Sequence, residues 1–460
     1  MPSREPMFCD FVVFIPGIMG SRLWREGKEI WGMSARQLTR LLLSGGNSLR
    51  ELALPAEVNG PASDGVSASG LIQDLHVIPG LWSAQLGYES VRRWFLGTLP
   101  VSEVGASLRP GNFMCFAYDW RLSNSWNALK LKETVEPALA AWRREARSTA
   151  RLFLVCHSMG GLVGRYFASK LDDGRLTKAL ITLGTPHRGA LKALSALGAV
   201  NGSGGWLTKL RIGDVVTNFP SIHELLPRYA CLEGSDGLKT IAESTLGLRS
   251  SRHYLAATEF HRQIDDADHD WFEHYAFVGR GQDTFTTGRR VEGQYVAHLE
   301  IDGEWRGGDG TVPEFAARPA AWAGRDYRLR GVHERHGSII RNPWVRQELL
   351  RILTEDDQVF RMEPAHGIRM DLDFQPESRT LKVSATTVPG RVLRVEFDDA
   401  TDNPGTAGIM TESSPGHYLW SATGVHDGAF VAKVSAVGVS ASVDSGVRFP
   451  LFVLGGSLVT

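Results

Sequence analysis

Cysteine is scarce in this sequence, and no two cysteines form a closely spaced pair. The 460 residues include only Cys9, Cys115, Cys156 and Cys231, and none of them belongs to a CxxC motif. The usual spacings of zinc sites and of disulfide frameworks are therefore absent. We expect free thiols in a reducing compartment.

Long hydrophobic runs and an excess of one charge are also missing. No apolar stretch approaches the ~20 residues that a membrane-spanning helix needs, and Glu5 and Asp10 precede the first apolar run, unlike in a signal peptide. The formal net charge of −1 lacks the basic excess of a phosphate-backbone binder. We therefore predict a cytoplasmic protein without a nucleic-acid partner.

What the sequence does contain is an ordinary globular composition, with 43% hydrophobic and 22% charged residues. Apolar runs typical of buried parallel strands alternate with helical patterns over residues 127–146, which Asn124 or Ser125 would cap, and 342–353. The runs cover residues 11–15, 113–117, 152–156, 179–183 and 276–279. This alternation predicts an α/β fold with a mostly parallel central sheet.

Two long segments do not fit a minimal sheet. Residues of about 24–87 and 190–275 are only patchily helical, and connections of this length usually form lids or binding loops. After residue 355, short strands with alternating polarity follow one another between turn signals. We predict an α/β domain with cap or lid insertions over residues 1–355 and a small all-β, sandwich-like domain over 356–460.

The stretch LFLVCHSMGG, residues 152–161, has the pattern of a nucleophile elbow: a buried strand, a serine and the glycine-rich start of a helix. On such a turn the hydroxyl of Ser158 is exposed for nucleophilic attack. The first glycine of the common G-x-S-x-G pattern is replaced by Cys156, so we expect a slightly tighter elbow.

A nucleophilic serine needs a base and an acid, which follow it along the chain in this fold class. The glycine-flanked Asp309 is our candidate acid and His336 our candidate base, while His333 remains the alternative base. His157 and His187 are expected to line the pocket or to pack beside it. The amides of Ile18, after the first strand, and Met159, at the helix start, are the candidate oxyanion donors.

Six motifs occur in the order seen in the lecithin:cholesterol acyltransferase-like family, and the sequence resembles a bacterial-type member. They are FIPGIMGSRLW (14–24), YDWRLS (118–123), CHSMGG (156–161), TLGTPHRGA (182–190), FPSIHELLP (219–227) and GDGTV (308–312). The resemblance covers residues 10–355 and implies an α/β-hydrolase fold. It also implies a triad of Ser158, Asp309 and His336, with Ile18 and Met159 as the oxyanion hole.

Three other features have competing interpretations. Asp119 and Arg121 would form a buried ion pair or contact substrate. The acidic segment 262–274 lacks calcium-loop and HExxH spacing and is better explained as a solvated loop than as a metal site. The aromatic residues of segments 78–87 and 204–210 would reach a lipid interface or pack under a lid.

From these observations we expect a serine lipase, phospholipase, esterase or acyltransferase. Its expected partner is a lipid or other apolar acyl ester, with a peripheral membrane contact as a further expectation, and no cofactor or metal is implied. Hydrolysis and transfer to an alcohol share their first half-reaction, so the sequence leaves both open. The alternative is a catalytically silent hydrolase-fold scaffold whose C-terminal domain binds a partner or a membrane.

Overall fold

The computed structural model of the chain divides into two compact units, Met1–Leu349 and Leu350–Thr460. The predicted domain boundary, between residues 355 and 356, lies a few positions after this division. The structure describes residues 8–32, 47–54, 64–72, 88–105, 110–202, 213–266, 271–320, 322, 328–354, 369–386, 392–399, 406–415, 417–426, 428–437, 447–454 and 457–459.

The secondary-structure elements are numbered in chain order. The strands of the first unit are β1 Phe11–Ile15, β2 Ser21–Arg25, β3 Lys28–Trp31, β4 Val66–Leu71, β5 Phe113–Cys115, β6 Leu152–His157, β7 Thr177–Leu183, β8 Leu232–Gly234, β9 Gly237–Lys239, β10 Glu273–Gly279, β11 Thr287–Val291, β12 Gln294–His298, β13 Glu300–Ile301, β14 Glu304–Trp305 and β15 Leu329–Val332. The α-helices are α1 Glu89–Thr98, α2 Asn124–Ala146, α3 Gly160–Tyr166, α4 Leu191–Ala196, α5 Gly213–Val216, α6 Pro220–Glu224, α7 Arg252–Asp265 and α8 Pro343–Thr354.

In the described part of the chain, the central sheet has six strands in the order β15-β10-β7-β6-β1-β5. Neighbouring strands are parallel throughout. All residues of β1 and β6 are buried, as expected for strands covered by helices on both faces. The five predicted strands are thus confirmed, the sequence pattern missed β15, and the fold is that of an α/β hydrolase.

Helix α2 begins three residues earlier than its apolar pattern predicts. Ser123 has extended backbone angles, and its hydroxyl accepts a hydrogen bond from the Trp126 amide over 3.2 Å. The predicted caps, Asn124 and Ser125, are therefore wrong, because both residues already lie inside the helix. The second predicted helix is confirmed as α8.

The two predicted insertions differ where the structure describes them: the first contains more strand than helix, and the second contains more helix than strand. In the first insertion, β2, β3 and β4 form a small antiparallel sheet, with a 3-10 helix over Asn47–Leu52. The second contributes β8 and β9 to a four-stranded sheet with β11 and β12, besides helices α4 to α7. The remaining residues of the first insertion lie outside the described ones, so its patchy helicity stays a prediction.

After the end of helix α8, the described residues of the second unit form the strands of a sandwich-like domain, as predicted. Its strands are β16 Arg369–Gln375, β17 Thr380–Thr386, β18 Leu393–Asp399, β19 Thr406–Ile409, β20 Thr411–Ser414, β21 His417–Ala422, β22 Gly428–Ala436, β23 Val447–Leu454 and β24 Ser457–Val459. They form two sheets, β16-β17-β21-β20 and β19-β18-β22-β23-β24. Leu381 and Val383 of one sheet share a core with Leu393 and Val395 of the other.

None of the helices in the described ranges combines the length and apolarity required of a transmembrane segment.

Candidate active site

Ser158 occupies a strained position between β6 and α3. Its backbone φ is +54°, a left-handed conformation that L-residues with a side chain adopt only where surrounding contacts enforce it. The Ser158 amide donates to the Leu183 carbonyl over 2.8 Å, and its carbonyl accepts from the Gly161 amide over 3.0 Å. These bonds hold the sharp turn predicted from the sequence.

The glycine after the elbow provides room for a close backbone approach. A Cβ atom on Gly160 would lie 2.3 Å from the Pro16 carbonyl oxygen and 2.6 Å from that of Ile15. Real Cβ atoms do not approach backbone oxygens this closely. Gly160 therefore allows helix α3 to start directly against the end of β1.

Cys156 fits the elbow because a second glycine faces it. The thiol is fully buried, and a Cβ on Gly164, one helical turn after Gly160, would lie 2.6 Å from its sulfur. In the common motif, a glycine in the strand leaves room for the helix. Here the strand residue is Cys156, and the helix residue that faces it is the glycine, Gly164. The expected tightening of the elbow is thus offset at Gly164.

The structure brings the three predicted side chains together. His336 Nε2 lies 2.8 Å from Ser158 Oγ, and His336 Nδ1 lies 2.7 Å from Asp309 Oδ2. The alternative base, His333, is exposed and lies against Gly281. Of the two candidate histidines, His336 is therefore the one in contact with Ser158.

Asp309 is held as a carboxylate in a fully buried position. Burial raises its pKa, but the charge and hydrogen bond of His336 and the amides of Val312 and Thr311 outweigh burial, so the pKa lies below its ordinary value. The two amides donate to Oδ1 over 2.7 and 2.9 Å. Oδ2 is thus left to accept from His336 Nδ1, which leaves His336 Nε2 facing Ser158 Oγ.

One predicted oxyanion donor follows the serine in sequence, and the other belongs to a loop that packs against it. Met159 is fully buried at the start of α3, and Ile18 belongs to residues 16–20, which we call the first-strand loop. A Cβ on Gly17 of this loop would lie 2.8 Å from Ser158 Cβ. Within the described part of the chain, neither the Ile18 nor the Met159 amide donates a hydrogen bond, so both remain available to an acceptor.

Two tyrosines hold the first-strand loop. The Tyr118 hydroxyl donates to the Pro16 carbonyl over 2.9 Å, and the Gly17 amide donates to the Tyr88 hydroxyl over 3.0 Å. Tyr88 lies 71 positions after Gly17 and in none of the motifs, so no pattern in the sequence indicates it.

Arg121 of the YDWRLS motif is structural. Its guanidinium is fully buried and contacts Asp119 over 2.6 Å, Asp64 over 3.0 Å and the Leu52 carbonyl over 3.1 Å. The buried ion pair is therefore present, and Asp64, from the first insertion, is a third member that the motif does not indicate.

The segment 262–274 is only partly a solvated loop. Asp265 forms ion pairs with the buried Arg165, over 3.0 Å, and with Arg228, so the prediction of a solvated loop is wrong there.

His187 is fully buried and lies 3.3 Å from Thr182 Oγ1, as expected for packing. No cluster of metal-ligating side chains occurs among the described residues, and the segments 78–87 and 204–210 lie outside them.

Residues 99–288 match the family model described as lecithin:cholesterol acyltransferase. The family resemblance predicted from the motifs is thus confirmed over this segment. The lecithin:cholesterol acyltransferase match includes Ser158 and Met159, while Ile18, Asp309 and His336 lie outside it. No curated protein matches the sequence.

Two of the similar solved structures are bacterial proteins. The mature form of the Bacillus licheniformis lipase BlEst2 shares 15% identity over 77% of this chain and 96% of its own, with a TM-score of 0.33. The Legionella pneumophila phospholipase PlaB shares 11% identity over 96% of this chain and 90% of its own, also with a TM-score of 0.33.

Proposed function

We propose that this chain is a serine hydrolase or acyltransferase that cleaves a lipid or other apolar acyl ester through an acyl-enzyme on Ser158. The observation that carries this proposal is the pair of short contacts at His336, 2.8 Å to Ser158 and 2.7 Å to Asp309. Serine, imidazole and carboxylate in this order form a nucleophile, a base and an orienting acid. The family match supports a lipid ester as substrate.

In the acylation step, His336 Nε2 takes the hydroxyl proton of Ser158 as Oγ attacks the ester carbonyl carbon. The oxyanion that develops is held by the amides of Ile18 and Met159. His336 then gives its proton to the alkoxy leaving group as the bond between carbonyl carbon and alkoxy oxygen breaks. The products are a free alcohol and an acyl ester of Ser158, and Asp309 stabilises the transient imidazolium.

The second half-reaction releases the acyl group. His336 takes a proton from water or from an acceptor alcohol, whose oxygen attacks the acyl carbonyl, and returns the proton to Ser158 Oγ. Water yields a free acid and an alcohol acceptor yields a new ester.

A fluorophosphonate probe tests the nucleophile directly, because it labels activated serines. We expect labelling of the wild type, none of Ser158→Ala, and unchanged labelling of Ser195→Ala. Ser195 is a suitable control because it is also a buried serine, and its hydroxyl has no hydrogen-bond partner among the described residues. Equal labelling of the wild type and Ser158→Ala would refute the proposal.

The base is tested by His336→Ala and His333→Ala. Loss of labelling in the first variant and retention in the second is expected from the contact of His336 with Ser158. An active His336→Ala with an inactive His333→Ala would reverse the assignment. Absence of labelling and of ester turnover in the wild type would instead favour the catalytically silent scaffold.

Substrate and acceptor are separated by one assay series. Short-chain esters, triacylglycerol and phospholipids are compared with and without an added alcohol, and free acid and new ester are quantified. We also propose a cytoplasmic location with peripheral membrane contact, tested by cell fractionation and by sedimentation with phospholipid vesicles.

A further inference from the structure

A chain of buried hydrogen bonds connects the first-strand loop to the backbone of His336. The Gly17 amide lies 3.0 Å from the Tyr88 hydroxyl, which lies 2.8 Å from His157 Nδ1. His157 Nε2 in turn lies 2.8 Å from the carbonyl oxygen of His336. Tyr88 and His157 are both buried, so water does not compete freely for these bonds.

The chemistry of the end groups fixes the direction of every bond. A carbonyl oxygen only accepts, so His157 carries its proton on Nε2 and donates it to His336. His157 Nδ1 then accepts from the Tyr88 hydroxyl, whose oxygen accepts from the Gly17 amide. All three bonds are satisfied together in this arrangement. Burial, helped by the nearby charge of His336, lowers the pKa of His157 to about 3, so this ring stays neutral at neutral pH.

The chain joins two parts of the site that lie far apart in sequence. Gly17 immediately precedes Ile18, whose amide would bind the oxyanion, and His336 supplies the proposed base. Electrostatic stabilisation depends on donors that are already in place before charge develops. A displacement of about 1 Å can cost a hundredfold in rate, so the spacing between these loops matters for catalysis.

We propose that Tyr88 and His157 are positioning residues that set the place of the Ile18 amide relative to His336, and this inference rests on the proposed function. Neither side chain needs to contact the substrate. Both act through the backbone, Tyr88 through the Gly17 amide and His157 through the His336 carbonyl.

Tyr88→Phe tests the proposal because it removes one oxygen and two hydrogen bonds while keeping the ring. We expect kcat for ester hydrolysis to fall about tenfold, the scale of one hydrogen bond, with KM changed less than about twofold, because the loss falls on the transition state. Tyr166→Phe is the matched control. It removes a tyrosine hydroxyl that donates to Gln263 over 2.9 Å, and kcat should stay at the wild-type value.

His157 is tested by two replacements. Gln can still donate to the His336 carbonyl, whereas Leu cannot, so His157→Gln should retain several-fold more kcat than His157→Leu. In the His157→Leu background, Tyr88→Phe should cost much less than in the wild type, because both changes break the same chain. Thermal unfolding of each variant distinguishes a lower kcat of folded enzyme from loss of fold.

The outcomes separate this proposal from the proposed function. If wild-type turnover depends on Ser158 but Tyr88→Phe keeps the wild-type kcat, or loses no more than Tyr166→Phe, the positioning role is overturned and the function stands. If the wild type has no turnover that depends on Ser158, both are overturned. If Tyr88→Phe instead raises KM about tenfold and leaves kcat unchanged, Tyr88 acts in substrate binding. That result would also overturn the positioning role.

Discussion

Glu224→Gln should change how the stability of the first unit depends on pH. Glu224 ends helix α6 in the second insertion and is 3% exposed. Its Oε2 accepts hydrogen bonds from the backbone amide and the side-chain amide of Asn124, both over 2.7 Å. Burial raises the pKa of Glu224 to about 8, although these two bonds lower it.

The sign and size of the effect follow from linkage. In the unfolded chain this carboxyl has a pKa of 4.5, so its stabilising contribution is complete below that pH. As the pH rises towards about 8, the unfolded chain releases this proton first, and the contribution is lost. With these two pKa values the loss is about 3–4 kcal/mol between about pH 5 and about pH 8. The neutral glutamine side chain does not titrate.

The assay is urea-induced unfolding of the full chain, followed by tryptophan fluorescence, at several pH values. All of the 13 tryptophans except Trp420 precede residue 350, so the signal comes mainly from the first unit. The wild-type free energy of unfolding minus that of Glu224→Gln isolates this titration, because other groups titrate alike in both proteins. Glu259→Gln is the control: hydrogen bonds from Arg262 and Gln263 lower the pKa of Glu259 to about 2, below this range.

A difference that is constant with pH, or that rises with pH, would refute the reasoning. Glu224 would then be ionised in the folded protein. In that case the Asn124 donors and the N-terminal end of α2, whose dipole favours a negative charge, would outweigh burial.

Three further changes have expected outcomes. Asp309→Asn should lower kcat about 10⁴-fold, because an amide stabilises the wrong imidazole tautomer; a steady-state ester assay showing less than a tenfold loss would contradict the assigned role. Arg121→Met should lower the free energy of unfolding by about 3–5 kcal/mol, since it leaves the half-buried Asp119 carboxylate without its cation and leaves Asp64 with Arg25 alone; urea unfolding measures this, and an unchanged midpoint would count against the buried cluster. Gly160→Ala should abolish probe labelling, because its methyl group would lie 2.3 Å from the Pro16 carbonyl; labelling at the wild-type rate would show that the elbow tolerates the displacement.

The central sheet was predictable because each of its main strands is a continuous apolar run. In a strand that is buried on both faces of the sheet, apolar residues do not alternate with polar ones, so the strand differs clearly from a surface strand. Strand β15, LRGV, was missed because it is an edge strand in which only Val332 is buried. Its place depends on pairing with β10, which no local pattern reveals.

The hairpins of the first unit were missed although the sequence contains their turns. Glu26-Gly27, Glu292-Gly293 and Asp302-Gly303 each connect two antiparallel strands, and all six residues have positive φ. Two-residue turns of this kind match the twist of the flanking strands and favour glycine at the second position. The strands around them are short and polar, so the turn was a stronger signal than the strand pattern.

The side chains of the proposed triad could be predicted from the sequence, whereas the hydrogen bonds of the side chains that position them could not. Ser158, Asp309 and His336 each follow a strand end or a glycine-bracketed turn, and their chain order is dictated by the fold. Tyr88 and His157 are constrained only by mutual contact: Tyr88 must reach the Gly17 amide and one ring nitrogen, and His157 must reach a carbonyl 179 positions away. Reacting groups are fixed by chemistry that many sequences share. The groups that hold them are fixed by the packing of this chain alone, and such contacts become visible only when distant segments are brought together.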